Sequence, residues 1–352
     1  MQIDIVLTNT TPFHSSAPGE ARVTLDGDFV GNKDRGSFPC VRTRTMPIRK
    51  LDTNGEGDGG VRYLPVMPGN TLRHFLRAAA ADLIFGQWRG RKTLSIGAYA
   101  AMESGNASGR PDGVPPTFAE SVRMGEHPFI GLFGGGPRML EGRLKCDAAW
   151  AITPDSLPYL GDYEDYCCKG NLLSIEFKRR VDPVLRLNPE HAALIDNVEQ
   201  SLAQWASDNV QDKPGAGEND DGQIRRRGLD SFSAHQFVIP GVHWLWRIAL
   251  NHPTQAQIGL VLSAIQTVAG QVIGGMGAIG YGQIRIVDVL IDGEPAWNGR
   301  GFEESEKNIR AFEAFAGALA DMDPQQVEQF AATAKTQDAK AKNKRGKTAE
   351  VA

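Results

Sequence analysis

The chain contains one stretch in which five of nine residues are glycine, Gly274-Gly275-Met276-Gly277-Ala278-Ile279-Gly280-Tyr281-Gly282. An apolar run at 256–273 precedes it with the period of a helix, and residues 283–291 alternate after it as in a strand. Three of the glycines match the spacing G-x-G-x-x-G, but a dinucleotide site needs a strand before this motif and a helix after it. The order here is the reverse, so no helix N-terminus follows to meet a phosphate, and the sequence argues against a dehydrogenase.

The glycine-rich stretch can still contact a ligand. Glycine allows positive φ and a close approach of the backbone, and successive exposed N–H groups form an anion-binding concavity. A sugar-phosphate backbone suits such a surface. The alternative is a turn that serves only to reverse the chain, so the surrounding sequence has to distinguish the two.

The clearest helix follows Pro68-Gly69-Asn70-Thr71. Its apolar residues recur at i, i+3, i+4 and i+7 and are Leu72, Phe75, Leu76, Ala79, Ala80, Leu83 and Ile84. We expect Asn70 or Thr71 to cap this helix and Gly86 to end it.

Alternating segments predict the strands of the core. They lie at 3–7, 143–152, 242–248 and 283–291. With the two helices, the order is strand, helix, strand, followed by strand, helix, strand. This is the split βαβ or ferredoxin-like order, so we predict an α+β protein.

The remaining segments look like insertions and extensions. Residues 12–62 read as an irregular excursion with room for a hairpin, and residues 87–140 are rich in Gly, Pro and Arg. Further predicted elements are a strand at 172–178, a weak helix at 189–207, a polar loop at 212–228 and helix at 302–334. From Lys335 the sequence is a basic, low-complexity tail that we expect to be disordered.

The composition is that of a globular protein with a core. The 352 residues are 41% hydrophobic and carry a net charge of −4. The cysteines Cys40, Cys146, Cys167 and Cys168 lack the two-residue gap of a zinc or redox motif, so we expect reduced thiols in a cytoplasmic protein. The N-terminus does not resemble a signal peptide, and no stretch approaches a membrane-spanning length.

Basic residues are clustered, which matters more for a polyanion partner than the total charge. Arg73 and Arg77 lie one turn apart, on what we predict to be the polar face of the first helix, with His74 beside them. The other clusters are Arg42, Arg44 and Arg49, then Lys178-Arg179-Arg180, and Arg225-Arg226-Arg227. Each cluster alone is usually a solvated surface, but together with the glycine loop and a helix N-terminus they suit a nucleic-acid backbone.

At these residues the chain resembles a known family. Val66-Met67-Pro68-Gly69-Asn70-Thr71-Leu72-Arg73 resembles the helix start of the RAMP superfamily of CRISPR proteins, and Gly274 to Arg285 resembles its glycine-rich loop and final strand. The segments 175–181 and 237–241 resemble the two thumb arms of the backbone subunits, the Cas seven group. The run Gly131-Leu132-Phe133-Gly134-Gly135-Gly136-Pro137 is most similar to the backbone subunit of type IV systems.

The resemblance implies a ferredoxin-like (RRM-like) βαββαβ palm over residues 1–300, with fingers at 87–140 and a thumb at 155–240. A helical extension at 301–334 and the basic tail at 335–352 follow. Several copies would stack head to tail along a guide RNA, together with other effector subunits, and present it for pairing with target DNA. No cofactor or metal is implied.

The resemblance also implies which residues contact RNA, mainly through phosphates and 2′-hydroxyls. Beside the basic clusters, the wedging residues that displace a base would be Leu229 and Phe232. The expected contacts are Arg42, Arg44, Gly69, Asn70, Thr71, Arg73, His74, Arg77, Lys178, Arg179, Arg180, Arg225, Arg226, Arg227, Leu229, Phe232, Gly274, Gly275, Met276, Gly277 and Tyr281.

The family also includes RNA endonucleases, which leaves a second hypothesis. Asp34, Asp52 and Asp58 lie in the stretch where related subunits carry a catalytic aspartate, but none aligns with that pattern. His14 and His74 are the candidates for a general acid or base. We expect a non-catalytic RNA scaffold, with an RNA endonuclease as the alternative.

Overall fold

The computed structural model describes residues 1–19, 21–31, 37–51, 57–105, 116–136, 140–181, 189–192, 194–209 and 230–331. The strands are β1 (Gln2–Asn9), β2 (Ala21–Val23), β3 (Phe29–Val30), β4 (Phe38–Val41), β5 (Thr45–Leu51), β6 (Gly57–Met67), β7 (Leu144–Cys146), β8 (Ala149–Ala151), β9 (Leu173–Val181), β10 (Asp230–Val238), β11 (His243–Leu250), β12 (Ile284–Ile291) and β13 (Glu294–Pro295). The helices are α1 (Gly69–Trp88), α2 (Ile96–Ser104), α3 (Phe118–Glu126), α4 (Pro128–Phe133), α5 (Leu157–Leu160), α6 (Pro189–Ala192), α7 (Val198–Asn209), α8 (Gln255–Val268), α9 (Glu306–Asp321) and α10 (Pro324–Ala331).

The chain forms two compact units. The first consists of Met1–Ser15, Arg44–Leu172 and Val238–Ala352, and the second of Ser16–Thr43 and Leu173–Phe237. The second unit therefore includes residues 16–43, which the sequence indicated only as an irregular excursion.

A sheet in the order β13-β12-β1-β11-β8-β6-β5 organises the first unit, with β7 also paired to β11. Its strands are antiparallel, and β1 pairs with β11 on one side and with β12 on the other. Val6, for example, lies opposite Leu245 of β11 and Asp288 of β12. The predicted strands of the core are thus present, except that the strand predicted at 143–152 is divided into β7 and β8. The predicted α+β class is confirmed.

One face of this sheet carries the helices α1 and α8. Alternate residues of β11, including Trp244 and Trp246, are fully buried, and Phe13 meets the Trp244 ring edge-on at 5.4 Å between centroids. Thr254 and Gln257 form a reciprocal capping box that fixes the start of α8. The apolar stripe predicted for α1 faces this core, with Leu72 and Leu76 completely buried.

The opposite face of the sheet is covered by residues 152–168. Ile152, Leu160 and Tyr163 pack on Val6 and Leu245 to form a second apolar cluster. The Tyr163 hydroxyl donates to Asp4 at 2.7 Å inside it, so this polar pair is satisfied despite its burial. Because both faces are covered, every residue of β1 after Gln2 is buried.

Two boundaries of the first helix were predicted wrongly. Its N-cap is Pro68, which makes no side-chain cap, and α1 already begins at Gly69, so Asn70 and Thr71 lie inside it. The helix also passes through Gly86 and ends at Trp88, with Arg89 as its C-cap. The backbone at Gly86 is open and unstrained, so packing on both sides of this position outweighs the low helix propensity of glycine.

Residues 87–140 hold more regular structure than their composition indicated. They form α2, α3 and α4, and α4 packs against both α3 and α8. The predicted helix at 302–334 is confirmed as α9 and α10, separated at Met322 and Asp323. Ala311, Phe315, Val327 and Phe330 are buried, so the C-terminal helices belong to the core of the first unit.

The second unit is a five-stranded sheet in the order β3-β2-β4-β10-β9. Val23, Cys40 and Ala234 form its small core, against which Ile175 and Phe177 pack. The two segments that resemble thumb arms correspond to β9 and to the end of β10, which are neighbours in this sheet.

Candidate nucleic-acid interface

The glycine loop is held in place by the segment that follows β1. The Gly275 N–H donates to the His14 carbonyl at 2.8 Å, and the Gly282 N–H donates to the Pro12 carbonyl at 2.8 Å. Gly274 has a φ of +95°, and a Cβ there would come within 2.6 Å of the His14 carbonyl oxygen. Glycine is therefore required at this position both for the backbone angle and for the space.

The tip of the loop is exposed and offers free backbone donors. Met276 has a φ of +66°, which turns the chain into a single 3₁₀ turn at Gly277–Ile279. Residues 277–280 are exposed. Among the described residues, nothing accepts a hydrogen bond from the amides of Met276, Gly277 or Ala278. Three successive free amides on a turn of this kind can bind an anionic oxygen.

Met276 and Tyr281 differ in what they offer a ligand. The Met276 side chain is half-buried, whereas Tyr281 is buried. The Tyr281 N–H also donates back to the Met276 carbonyl at 3.4 Å. Little of the Tyr281 ring is therefore open to a ligand, and its role as an RNA contact stays a prediction.

The first turn of α1 is a second group of uncapped amides. No acidic residue lies in this turn, Asn70 is exposed and Thr71 is half-buried. Gly69 packs tightly, since a Cβ there would lie 2.7 Å from the Cys146 carbonyl oxygen. A helix start of this kind favours an anion through its free N–H groups and the helix dipole.

The loop and the start of α1 are not in contact. Within the part of the chain that the structure describes, no hydrogen bond joins residues 274–282 to Gly69, Asn70 or Thr71. The loop leads into β12 next to β1, whereas Gly69 lies beside the turn between β7 and β8, on the other side of β11. They are therefore two separate candidate contacts on one unit.

Arg77 is not on the polar face of α1, so this prediction is wrong. Its side chain is only 5% exposed. The guanidinium donates to the carbonyls of Ala101 and Met102 at 2.6 Å and to that of Gly134 at 3.2 Å. It also lies over the rings of Phe129 and Phe133. Burial lowers the pKa of Arg77 to about 10, which still leaves it charged near neutral pH.

Arg73 and His74 differ from Arg77. The Arg73 side chain is half-buried and donates to the Phe133 carbonyl at 2.5 Å, so this guanidinium is partly used within the protein. His74 is exposed, and its ring lies edge-on to Phe75. Of Arg73, His74 and Arg77, only His74 has an exposed side chain.

The glycine run that resembles type IV subunits is a packing centre. Gly134, Gly135 and Gly136 all have positive φ. A Cβ on Gly136 would lie 2.7 Å from the Phe330 ring of α10, and the Gly136 N–H donates to the Gly105 carbonyl. The run thus joins α2, α4 and α10, while Pro137 lies outside the described residues.

The remaining predicted contacts lie on several elements. Arg42 is exposed, with its guanidinium 4.8 Å above the Phe29 ring, and Arg44 is half-buried. Lys178 lies 4.0 Å from Glu176 on β9. The side chains of Arg179, Arg180 and Phe232, and all of Arg225, Arg226, Arg227 and Leu229, lie outside the described residues.

Of the candidate catalytic residues, the structure describes the side chains of His14 and His74, which lie on different segments of the chain. Asp34 and Asp52, and the side chain of Asp58, lie outside the described residues. His14 is only 1% exposed and lies against Gly275 of the loop, so it is not open to a substrate in this conformation. Among the residues described, no three His, Cys, Asp or Glu side chains are arranged to hold a metal ion.

The four cysteines are free thiols. Cys168 and His243 lie together beside the start of β11, where the His243 N–H donates to the Cys168 Sγ at 3.2 Å. Burial lowers the pKa of His243 below its ordinary value. No helix within the described residues has the length and apolar character needed to cross a membrane.

Comparison with known proteins gives structural likenesses, among them two to chains of CRISPR complexes. No protein-family model and no curated protein matches the chain. A chain of a solved type IV-B CRISPR complex is similar, with a TM-score of 0.49 and 15% identity, over 88% of this chain and 96% of that chain. A chain of a type III-B Cmr-beta complex bound to cognate target RNA is similar with a TM-score of 0.36 and 10% identity, over 82% of this chain and 59% of that one. At these low scores and identities, neither likeness decides what this chain does.

Proposed function

We propose that this chain is a non-catalytic, guide-RNA-binding backbone subunit of a type IV-like CRISPR effector complex in the cytoplasm. The observation that carries the proposal is the exposed tip at 277–280 with the free amides of Met276, Gly277 and Ala278 beside it. Backbone donors contact phosphate without reading sequence, which is the property that a subunit repeated along a guide requires.

The strand order supports a ferredoxin-like palm. The four strands β12, β1, β11 and β8 are adjacent in that order and antiparallel, and α1 and α8 lie in the two crossover positions of the chain. A βαββαβ palm has this order of strands and helices, which supports the proposal. In this proposal the loop between the second crossover helix and the last strand is an RNA-binding loop of the palm.

The covered sheet supports binding through loops. Ordinary RNA-recognition modules stack bases on an open sheet face, but here Leu160 and Tyr163 pack over that face. An RNA strand therefore cannot lie on the part of the sheet that β1 and β11 form. The tip at 277–280, the start of α1 and exposed basic side chains remain as surfaces for it.

The assembly follows from the same proposal. Several copies stack head to tail along the guide, the second unit acts as the thumb, and the paired target is DNA. Such an open, heterologous contact produces a helical filament whose length is set by the RNA. Electron microscopy of the chain purified with its RNA, compared with the nuclease-treated chain, tests the stacking.

A charge placed at the loop tip tests the RNA contact. Ala278→Asp puts a carboxylate beside the three free amides, and we expect it to weaken binding of a labelled single-stranded RNA about 5- to 20-fold through repulsion of phosphate. Ala119→Asp, on an exposed position of α3, is the matched control. If the two variants bind RNA with equal affinity, the loop is not part of the RNA interface.

The endonuclease alternative is tested separately. The purified chain is incubated with labelled guide and complementary RNA, with and without Mg²⁺. We expect both RNAs to remain intact. If the chain cleaves RNA and Asp34→Ala or His74→Ala abolishes the cleavage, the chain is an endonuclease and the non-catalytic proposal is wrong.

A further inference from the structure

The hairpin of β5 and β6 has two faces with different surroundings. Met46 and Ile48 on the inner face border a cleft of about 370 Å³ that Trp150 and Tyr159 also line. The Tyr159 hydroxyl donates to the Arg49 carbonyl at 2.5 Å. The inner face is therefore turned towards the body of the first unit.

The outer face of the hairpin consists of Pro47, Arg49, Val61 and Tyr63. Pro47 lies opposite Tyr63 and Arg49 opposite Val61 in the antiparallel register, so all four side chains project to the same side. Tyr63 is 67% exposed and Val61 57% exposed. Among the described residues, the Tyr63 ring and the Arg49 guanidinium have no hydrogen-bond, ion-pair or ring partner.

The charge of the hairpin favours a polyanion. Residues 44–51 and 60–67 contain four basic residues and no acidic one. Of these, Arg62 lies opposite Ile48, on the inner face, and 3.9 Å from the Asp155 carboxylate. The acidic residues Asp52, Glu56 and Asp58 follow near the turn in sequence. An anionic ligand is therefore favoured along the strands rather than at the tip.

We propose that the outer face of the hairpin binds single-stranded nucleic acid, with an unpaired base stacked on Tyr63 and a neighbouring phosphate held by Arg49. The two residues are diagonal neighbours across the strands, at roughly 7–8 Å, a separation that an aromatic ring and a long cationic side chain can both span. The cation alone would fit any polyanion and the ring alone any apolar partner. Their combination selects a ligand with planar bases and phosphates. This inference rests on the proposed function, to which it adds a base-stacking site.

Oligonucleotide binding tests the site. The RNA-free chain is titrated with a labelled oligouridylate RNA and with a matched oligothymidylate DNA, since either strand offers the required chemistry. We expect Tyr63→Ala to raise the Kd about 5- to 100-fold, as for the loss of one stacked base, and Tyr63→Phe to stay within about twofold because the ring remains. Phe118→Ala, which removes an aromatic ring that is 86% exposed on α3, is the matched control and should bind like the unaltered chain.

Two further measurements separate stacking from charge. On an oligonucleotide with abasic residues, Tyr63→Ala should have no effect, whereas Arg49→Ala should still weaken binding and flatten the dependence on salt. Photocrosslinking of an iodouridine-substituted strand should attach it at Tyr63.

The outcomes distinguish the two proposals. If the unaltered chain binds but Tyr63→Ala binds equally well and no crosslink forms at Tyr63, the stacking site is wrong and the RNA-binding subunit stands. If the unaltered chain binds neither strand, both proposals fail.

Discussion

Arg77 is a charged residue that is buried and stabilises the fold. It follows Leu76 in α1, and its guanidinium satisfies the carbonyls of Ala101, Met102 and Gly134. Buried carbonyls without a donor each cost about 1–3 kcal/mol. The side chain therefore fixes the end of α2 and the turn after α4 against α1.

We predict that Arg77→Ala destabilises the protein by at least about 3 kcal/mol, since the buried Met102 and Gly134 carbonyls lose their donor, the Ala101 carbonyl keeps only the Gly105 N–H, and a cavity remains. The free energy of unfolding in urea measures the effect. Arg91→Ala, which removes an exposed arginine just after α1, should change stability by less than about 0.5 kcal/mol. An equally small loss of stability for Arg77→Ala would show that the hydrogen bonds of Arg77 to these carbonyls are not needed.

His127 makes stability depend on pH. Its Nδ1 accepts hydrogen bonds from the N–H groups of Phe129 and Ile130 at the start of α4, and burial lowers its pKa to about 4. The unfolded chain, with an ordinary pKa near 6.5, takes up a proton that the folded chain does not between pH 6.5 and pH 4. Stability therefore falls as the pH falls through this window and is unaffected above it.

We predict that lowering the pH from 8 to 5 removes about 2 kcal/mol of stability through His127. His127→Asn keeps a side-chain acceptor at the start of α4 but cannot titrate. The difference in unfolding free energy between the two pH values should shrink by about that amount in the variant. An unchanged pH dependence would contradict the role of His127.

At this scale the sequence located exposed residues better than buried polar ones. His74 and Arg42 are exposed as their neighbours indicated, but Arg77 is buried because its partners lie 24 and 57 residues further along the chain. Spacing within one helix contains no information about such partners. Tyr63 was missed for a related reason. Only the pairing register of β5 with β6 shows that Tyr63 and Arg49 lie on the same exposed face.

At the scale of elements, glycine has opposite roles in one helix. Gly69 lies where a Cβ would meet the backbone at Cys146 and Asp147, whereas Gly86 has nothing within 4 Å. Both residues are helical, so the helix propensity of alanine favours both substitutions equally. Only the surroundings differ.

We predict that Gly69→Ala destabilises the protein by about 1–3 kcal/mol through overpacking, and that Gly86→Ala stabilises it by about 0.5–1 kcal/mol. Thermal unfolding of the two variants beside the unaltered chain gives both values. If both substitutions changed the melting temperature in the same direction, the backbone at Cys146 and Asp147 would be able to move away from a Cβ at position 69 at little cost.

Regular elements were well predicted where their period is long and uninterrupted. The strands β1, β11 and β12 and the body of α1 and α8 follow directly from alternation and helical stripes. The helices α2 to α4 did not, because Gly and Pro interrupt a region that is stabilised by contacts with α1, α8 and α10. The glycine loop was identified, but its anchoring on residues 12–14 depends on long-range pairing.

At the scale of the whole molecule, the C-terminal helices complete the core. A Cβ on Gly259 of α8 would collide with the backbone of Ala311 in α9, and Lys92 donates to the Met322 carbonyl at 2.5 Å. Phe330 of α10 lies against the Gly136 backbone. The sequence indicated helices here but not that they are needed to bury α8.

We predict that removing residues 305–352 lowers the melting temperature by more than about 10 °C or makes the protein insoluble, because the apolar surface of α8 becomes exposed. Removing only 332–352 leaves every described contact intact and should change neither the melting temperature nor assembly on RNA. Differential scanning fluorimetry and size-exclusion chromatography compare the two truncations. A loss of assembly in the shorter deletion would assign the basic tail a role in it.

The position of β1 has a consequence for how the protein is made. This strand ends at Asn9, yet its partners β11 and β12 lie beyond residue 242. At a translation rate of about 5–20 residues per second, roughly 15 to 60 s pass between the synthesis of β1 and that of β11 and β12. During that time an apolar strand that the finished protein buries on both faces has no native neighbour. Correct yield therefore depends on what shields this nascent strand, and synonymous codons or chaperones that act during translation should affect it more than they affect the finished fold.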